Sequence, residues 1–190
     1  MASTISAGTS AGTAIAIAGD TTGNLAFTTQ AGTYTQTLPN ATGTVMVSGN
    51  MPAFSAYLSS SQSIGSGSLT KMQCNIKEFD TASAYDNATN YRFTPQVAGY
   101  YQVSGGAQLN YTSALYSSFI CIYRNGVAFK FGNNTMNTNS FQQVSVSALI
   151  YLNGSTDYVE MYAQQNSGGS ANIGGNQNTS YFQAVMVRAA

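Results

Sequence analysis

The sequence predicts an all-β fold, a sandwich or jelly roll, on three observations. From Met51 onward no window carries a helical period. Short runs of β-branched and aromatic residues alternate with polar ones in the period of two that sends successive side chains to opposite faces of a strand. Loops rich in Ser, Asn and Gly separate these runs at short intervals, and no helix is available to cover a parallel sheet. The strands must therefore pair antiparallel and pack sheet on sheet.

Residues 1–50 come first and differ from the rest. Of these, 28 are Ala, Gly or Thr, Asp20 is the one charge, and Phe27 and Tyr34 are the aromatics. So few large apolar groups cannot close a core, and a flexible linker is the plain expectation. Against it, "TAIAIAG", "NLAFTTQ", "YTQTLP" and "GTVMVSG" alternate in the strand period. That pattern favours an extended β-rich arm, ordered by several chains together or by docking on another protein. The stretch "LPNATGTVMVSGNMP", bracketed by Pro39 and Pro52, is the junction with a second domain over residues 51–190.

In that domain the readable strands are "AFSAYLS" (53–59), "LTKMQCNIKEF" (69–79), "NYRFTP" (90–95), "GYYQVSGGAQLNY" (99–111), "SFICIYRNG" (118–126), "FQQVSVSALIYLNG" (141–154), "DYVEMYAQQ" (157–165) and "SYFQAVMVRA" (180–189). "SSSQSIGSGS", "GNNTMNTNS" and "NSGGSANIGGNQNT" read as loops. The fourth strand shows how faces are assigned. Tyr101, Val103, Gly105, Ala107 and Leu109 share one face, which is the core face, and Tyr100, Gln102, Ser104 and Gln108 share the other.

Composition narrows the function. Hydrophobic residues make up 43% of the 190, too many for a disordered chain, while only 6% are charged. Six basic and six acidic residues cancel, so no electrostatic footprint for nucleic acid or an anionic membrane is present. The opening "MASTISAGTSAGTAIAIAG" has no basic start and suits neither a signal peptide nor a membrane span. Cys74 and Cys121 lie in apolar strand patterns and read as free, inward-facing or partly buried thiols rather than a disulfide scaffold. The six N-x-S/T sequons read as chance in a chain this rich in Asn, Ser and Thr.

The chain has no histidine, which removes Ser-His-Asp and Cys-His arrangements and imidazole metal ligands. A glycosidase needs only two carboxylates, so Glu78, Asp80, Asp86, Asp157 and Glu160 are the candidates to weigh. Asp157 and Glu160 have opposite strand parity, and Glu78 and Asp80 have Lys77 and Lys71 near them as ion-pair partners. All five read as structural charges rather than a catalytic pair. "SGGSANIGGNQ" (167–177) lacks the Lys-Ser/Thr ending of a phosphate-binding loop. It reads as a hairpin loop, with Ser167, Asn172, Asn176 and Gln177 as candidate contacts to sugar hydroxyls or a protein backbone. No cofactor or metal is expected.

Phe79, "YDNATNYRF" (85–93), and Phe93 followed after five residues by Gly99, Tyr101 and Val103 resemble the complement-q globular head domain, close in fold to the tumour-necrosis-factor jelly roll. "IYRNG" (122–126), "LIYLNGSTDYVEMY" (149–162) and "SYFQAVMV" (180–187) are similar to its later strands. Val103 replaces an aromatic of that pattern, Ala184 stands where the family has Gly, and Ser155 and Thr156 separate Gly154 from Asp157. The resemblance implies a jelly roll that trimerises with one sheet facing the threefold axis. On that reading Tyr57, Tyr100 and Tyr181 are candidate interface residues. The leader's composition resembles that of tail-fibre and head-fibre proteins of tailed bacteriophages. The resulting expectation is a trimeric virion appendage, anchored through residues 1–50 to other virion proteins and displaying a head toward a host-surface glycan or protein. A cellular adhesin and a carboxylate-based depolymerase are the rivals.

Overall fold

The computed structural model describes residues 26–28, 35–37, 51–110, 117–132 and 141–190. The chain divides into two compact units, 1–44 and 45–190, and the division falls inside the Pro39–Pro52 junction. In the first unit β1 (Ala26–Thr28) pairs antiparallel with β2 (Thr35–Thr37). The other strand-period runs expected in the leader lie outside the described residues.

Among the described residues every regular element is a strand, as the missing helical period predicts. The second unit is built on β9 (Gly99–Asn110), which pairs over its whole length with β12 (Phe141–Leu152). On the other edge of β9 lie β15 (Tyr181–Ala189) and, toward Asn110, β14 (Ala171–Ile173). The sheet continues from β15 to β3 (Ala53–Tyr57) and β6 (Ile76–Asp80), and from β14 to β4 (Gln62–Ile64). A second sheet runs in the order β11 (Val127–Phe131), β10 (Ser118–Arg124), β13 (Val159–Gln165), β8 (Arg92–Phe93), β7 (Tyr85–Asp86), with β5 (Thr70–Lys71) also paired to β13. All of these strand pairs are antiparallel.

The two sheets enclose one apolar core. Tyr101, Val103, Ala107 and Leu109 are fully buried, as the parity of β9 requires. Aromatics fill the middle: Phe54 stacks on Tyr85 at 4.5 Å and on Phe93 at 4.6 Å, and meets Phe182 edge-on at 5.0 Å. Phe93 meets Tyr101 edge-on at 5.7 Å, so of the residues that carry the family resemblance Tyr85, Phe93, Tyr101 and Val103 pack in the core, while Phe79 is half-exposed. Each buried large side chain contributes about 1.5–3 kcal/mol of transfer free energy before the entropy of ordering it is subtracted.

The ends of the sandwich differ. At one end β9 begins beside Leu152 and Ala189, Ala190 N donates to Ala98 O, and Met186 N donates to Pro52 O. Pro52 and the C-terminal Ala190 therefore share this end, called the junction end below because Pro52 closes the stretch that joins the two units in sequence. Here Asp157 fastens the 153–157 turn to the 124–127 turn, accepting from Arg124 at 2.9 Å, Asn125 at 2.7 Å and Asn153 N at 3.0 Å. Gly154 has φ +71, and a Cβ there would stand 2.2 Å from Ala98 N, so both the conformation and the space select glycine. The opposite end carries the 58–61, 166–170 and 174–180 turns, with Leu58 N donating to Ser180 O and Gly174 N to Gln108 O.

Three sequence expectations need correction. "LTKMQCNIKEF" is two strands in different sheets: β5 belongs with β13 and β6 with β3, and Met72 and Cys74 are buried on the crossing. Segments read as loops contain β4 and β14, whose Ile64, Ala171 and Ile173 enter the interior between Ser, Gly and Asn residues. Cys121 is buried and free as expected, but it alternates with Ile120 and Ile122, which join the core, so Cys74 and not Cys121 is the inward-facing thiol.

Candidate functional site

The face of the β9 sheet that turns away from the core is built in cross-strand rows. Tyr151, Tyr100 and Arg188 form one, and Leu149, Gln102, Val185 and Ala53 the next. Ser147, Ser104, Gln183, Ser55 and Phe79 form the third, and Ser145, Gly106, Tyr181, Tyr57 and Ile76 the fourth. Tyr57, Tyr100 and Tyr181 thus share this face. Tyr100 lies near the junction end with Tyr151 at 5.6 Å, and Tyr57 and Tyr181 lie as a cross-strand pair toward the far end.

The apolar character of this face is larger than those three tyrosines. Phe79, Tyr100, Leu149, Tyr151, Val185 and Val187 are each 39–57% exposed. Between them lies an apolar recess of about 290 Å³ floored by Phe54 and Ala184 and rimmed by Phe79 and Val185. Arg188 at the junction end and Glu78, which accepts from Ser55 Oγ, are the charged groups described at this face; the amides between them are neutral and tied together, Gln102 Nε2 to Ser147 Oγ at 2.6 Å and Gln183 Nε2 to Ser104 Oγ at 3.1 Å. Sequence parity missed Leu149, Tyr151 and Val185, although the signal was present. "ALIYL" is apolar at both parities, which in an antiparallel sandwich marks a strand with two faces out of water.

The four candidate ligand residues do not form one loop. Ser167 lies in the 166–170 turn, where its amide donates to Gln165 Oε1 at 2.7 Å. Asn172 is on β14, exposed, with Ser63 of β4 as its register partner. Asn176 and Gln177 lie in the 174–180 turn; the Asn176 carbonyl accepts from Thr179 N and Ser180 N, and Gln177 is exposed. All of them sit at the end opposite the junction.

The five weighed carboxylates are occupied in holding turns and strands. Glu160 pairs with Lys71 at 2.5 Å, and Glu78 accepts from Ser55 Oγ at 2.5 Å. Burial alone would raise the Asp80 carboxyl. The Lys77 ammonium at 2.8 Å and the amides of Tyr85 and Ala84 outweigh it and hold Asp80 below the usual carboxylate range. Asp157 is lowered in the same way: its burial is overcome by Asn125, Arg124 and Asn153. Asp86 caps the 86–90 turn, and the amides of Thr89 and Ala88 hold it well below the usual range. Among the described residues no cluster of three or more His, Cys, Asp or Glu is placed to hold a metal ion, and no helix is long and apolar enough to cross a membrane.

No protein-family profile matches the sequence, and no curated protein matches it. Solved structures do. The globular domain of zebrafish complement 1qA superposes with a TM-score of 0.52 at 17% identity, over 73% of this chain and 99% of that one. Murine APRIL gives 0.57 at 8% identity, over 72% and 99%. The Eiger TNF of S. frugiperda gives 0.54 at 10% identity, over 74% and 93%. The fold is the complement-q/TNF-like jelly roll. At these identities the likeness establishes the architecture of the jelly-roll domain, and function has to be argued from the exposed face and the end loops.

Proposed function

We propose that residues 51–190 are the trimeric recognition head of a non-enzymatic surface appendage on a tailed bacteriophage, a head fibre or decoration protein or a tail-fibre tip, with residues 1–50 as its anchor. The observation that carries the trimer is the row of exposed apolar side chains on the β9 sheet. A contiguous apolar face of several hundred Å² is uncommon on a stable monomer. Its near-absence of charge suits the centre of a protein interface, where charged residues are depleted and aromatics enriched. A closed threefold arrangement satisfies such a face without leaving an open chain of contacts.

The recognition role draws support from the polar turns at the end away from the junction, which a rigid scaffold would present outward. The virion role draws its support from the Gly/Ala/Thr-rich leader. The structural use of Asp80, Asp86, Asp157, Glu78 and Glu160 favours a binding head over a depolymerase. Two experiments decide the matter. Sedimentation equilibrium of the purified chain should give a trimer at micromolar concentration, and a monomer would refute the assembly. Mass spectrometry of purified particles should find the chain in the virion, and its absence there together with recovery from a bacterial surface would favour the adhesin.

A further inference from the structure

On the flank of the jelly roll, where the turn after β3, the segment between β5 and β6, and the residue before β8 meet, lies an open cleft of about 300 Å³. Its lining carries no acidic or basic side chain. The hydroxyls of Ser60, Ser61 and Ser63 and the side-chain amide of Gln73 line it without a hydrogen bond to another described residue. Two further amides frame it and are fixed at both ends. Gln62 donates to Lys71 O at 2.8 Å and accepts from Gln73 N at 3.0 Å, while Asn75 accepts from Ser59 N at 3.0 Å and donates to Ser59 Oγ at 2.9 Å. Each of these amides keeps a second N–H that none of these bonds uses. The cleft is therefore a preorganised set of neutral donors and acceptors.

Its remaining wall is Tyr91, which has φ +49. A bulky residue in the left-handed region costs of order 1–3 kcal/mol and persists only where its surroundings over-determine it. Here they do. Asp86 accepts from the amides of Ala88, Thr89 and Asn90, and the Asn90 carbonyl accepts from Lys71 Nζ at 3.2 Å, so the turn that presents the Tyr91 ring is tied from both sides. Leu58, at the back of the cleft, packs inward with the core, so the Tyr91 ring is the large apolar group left to the cleft.

We propose that this cleft binds a neutral polyhydroxylated ring, one sugar residue of a glycan. Phosphate, carboxylate or ammonium ligands are recognised through an opposite charge, and the lining offers none. Hydroxyls and amides without a partner beside an aromatic ring match a pyranose, which has hydroxyls at its rim and C–H faces above and below. The volume is at the small end for a ligand site, which limits the cleft to about a single ring. A longer glycan has somewhere to continue. Gly175 lies so close to Ser60 that a Cβ would stand 2.1 Å from its carbonyl carbon, which brings the turn bearing exposed Asn176 and Gln177 to the rim.

The cleft lies within one protomer, so its test does not depend on the trimer. The full chain is titrated by saturation-transfer NMR and calorimetry with the methyl glycosides of glucose, galactose and N-acetylglucosamine, and with methyl glucuronide as the charged comparator. Saturable binding of at least one neutral glycoside is expected in about the millimolar range, the affinity that a few hydrogen bonds and one stacking face give so small a ligand. Tyr91→Gly removes the ring and accepts the left-handed backbone, so it should weaken binding about tenfold or more without lowering the melting temperature. Gln73→Ala should weaken binding as well. The proposal is overturned if none of the neutral glycosides binds, if Tyr91→Gly binds as well as the parent chain, or if the glucuronide binds more tightly.

Discussion

Tyr100 and Tyr101 are chain neighbours that point to opposite sides of β9, and substitution should separate what each does. Tyr101 is fully buried, meets Phe93 edge-on, and its hydroxyl donates to Val97 O at 2.6 Å. Tyr101→Ala should cost about 3–5 kcal/mol by chemical denaturation. Tyr101→Phe, which keeps the ring and loses only the hydrogen bond, should cost about 0.5–1.5 kcal/mol. Tyr100→Ala should leave the protomer folded and weaken self-association; equal destabilisation by both alanines with assembly intact would mean that the outward face has no partner. The titratable side chains give a second expectation at this scale. Asp80, Asp86 and Asp157 are all held below the usual carboxylate range by the groups they accept from. A carboxyl depressed in this way stabilises the fold fully above its unfolded value of about 3.9, and the contribution is lost as pH falls through the folded value. Burial pushes the Cys74 thiol up to about 12, so its contribution is complete below the unfolded value and is lost as pH rises toward the folded one. With no histidine to titrate between them, the melting temperature should be flat from about pH 5 to 8 and fall on either side. A midpoint transition near pH 6.5 in that curve would contradict this assignment of charges.

At the scale of strands, the exposed face makes the sharpest claim. Leu149 and Val185 flank Gln102 in one cross-strand row, and Leu149→Asp or Val185→Asp should turn a trimer into soluble monomers with little change in protomer stability, as read by sedimentation and thermal melting. If the trimer survives both substitutions, the face is not the interface. The strands themselves were legible to different degrees, for physical reasons. β9, β12, β13 and β15 have seven to twelve residues, long enough for their existence to be read directly, and the alternation of β9 also gave its buried parity. β4 and β14 have three residues each, too few for a period of two to stand out among glycines and serines. Ile173→Ala, costing about 2–5 kcal/mol as other core truncations do, would show that β14 is core rather than loop. The break in 69–79 was hidden because a strand that crosses from one sheet to the other stays apolar throughout; Met72 and Cys74 pack inside while the hydrogen-bonding partner changes from β13 to β3. The flank cleft was invisible for a related reason. Its groups come from Ser60–Ser63, Gln73–Asn75 and Tyr91, and nothing along the sequence says that these three segments meet.

At the scale of the whole molecule, residues 51–190 hold a core of their own, while the sequence of residues 1–50 offers few large apolar groups from which to build one. Residues 51–190 enclose the aromatic cluster of Phe54, Tyr85, Phe93, Tyr101 and Phe182, and contain every partner in it. The leader has too few large side chains to bury and a single charge at Asp20, so any strand it forms needs neighbours to satisfy its backbone edges. Anchoring by the leader also fits the polarity of the jelly roll. Pro52 lies beside Met186 at one end of the sandwich, while the 166–170 and 174–180 turns lie at the other, so an attachment made at the Pro52 end would leave the second free to meet a ligand. Deleting residues 1–50 should therefore leave a soluble, folded trimer that is absent from assembled particles. A cut after residue 44, where the two units divide, should behave in the same way. The measurement is the copy number of each truncated chain in purified particles beside its melting curve in isolation. Loss from the particle with an unchanged melting curve would assign attachment to the leader. Incorporation at the normal copy number would move the anchoring surface onto the jelly roll, and the exposed β11 edge, with Val127 and Phe131 outward, would become the first place to look for it.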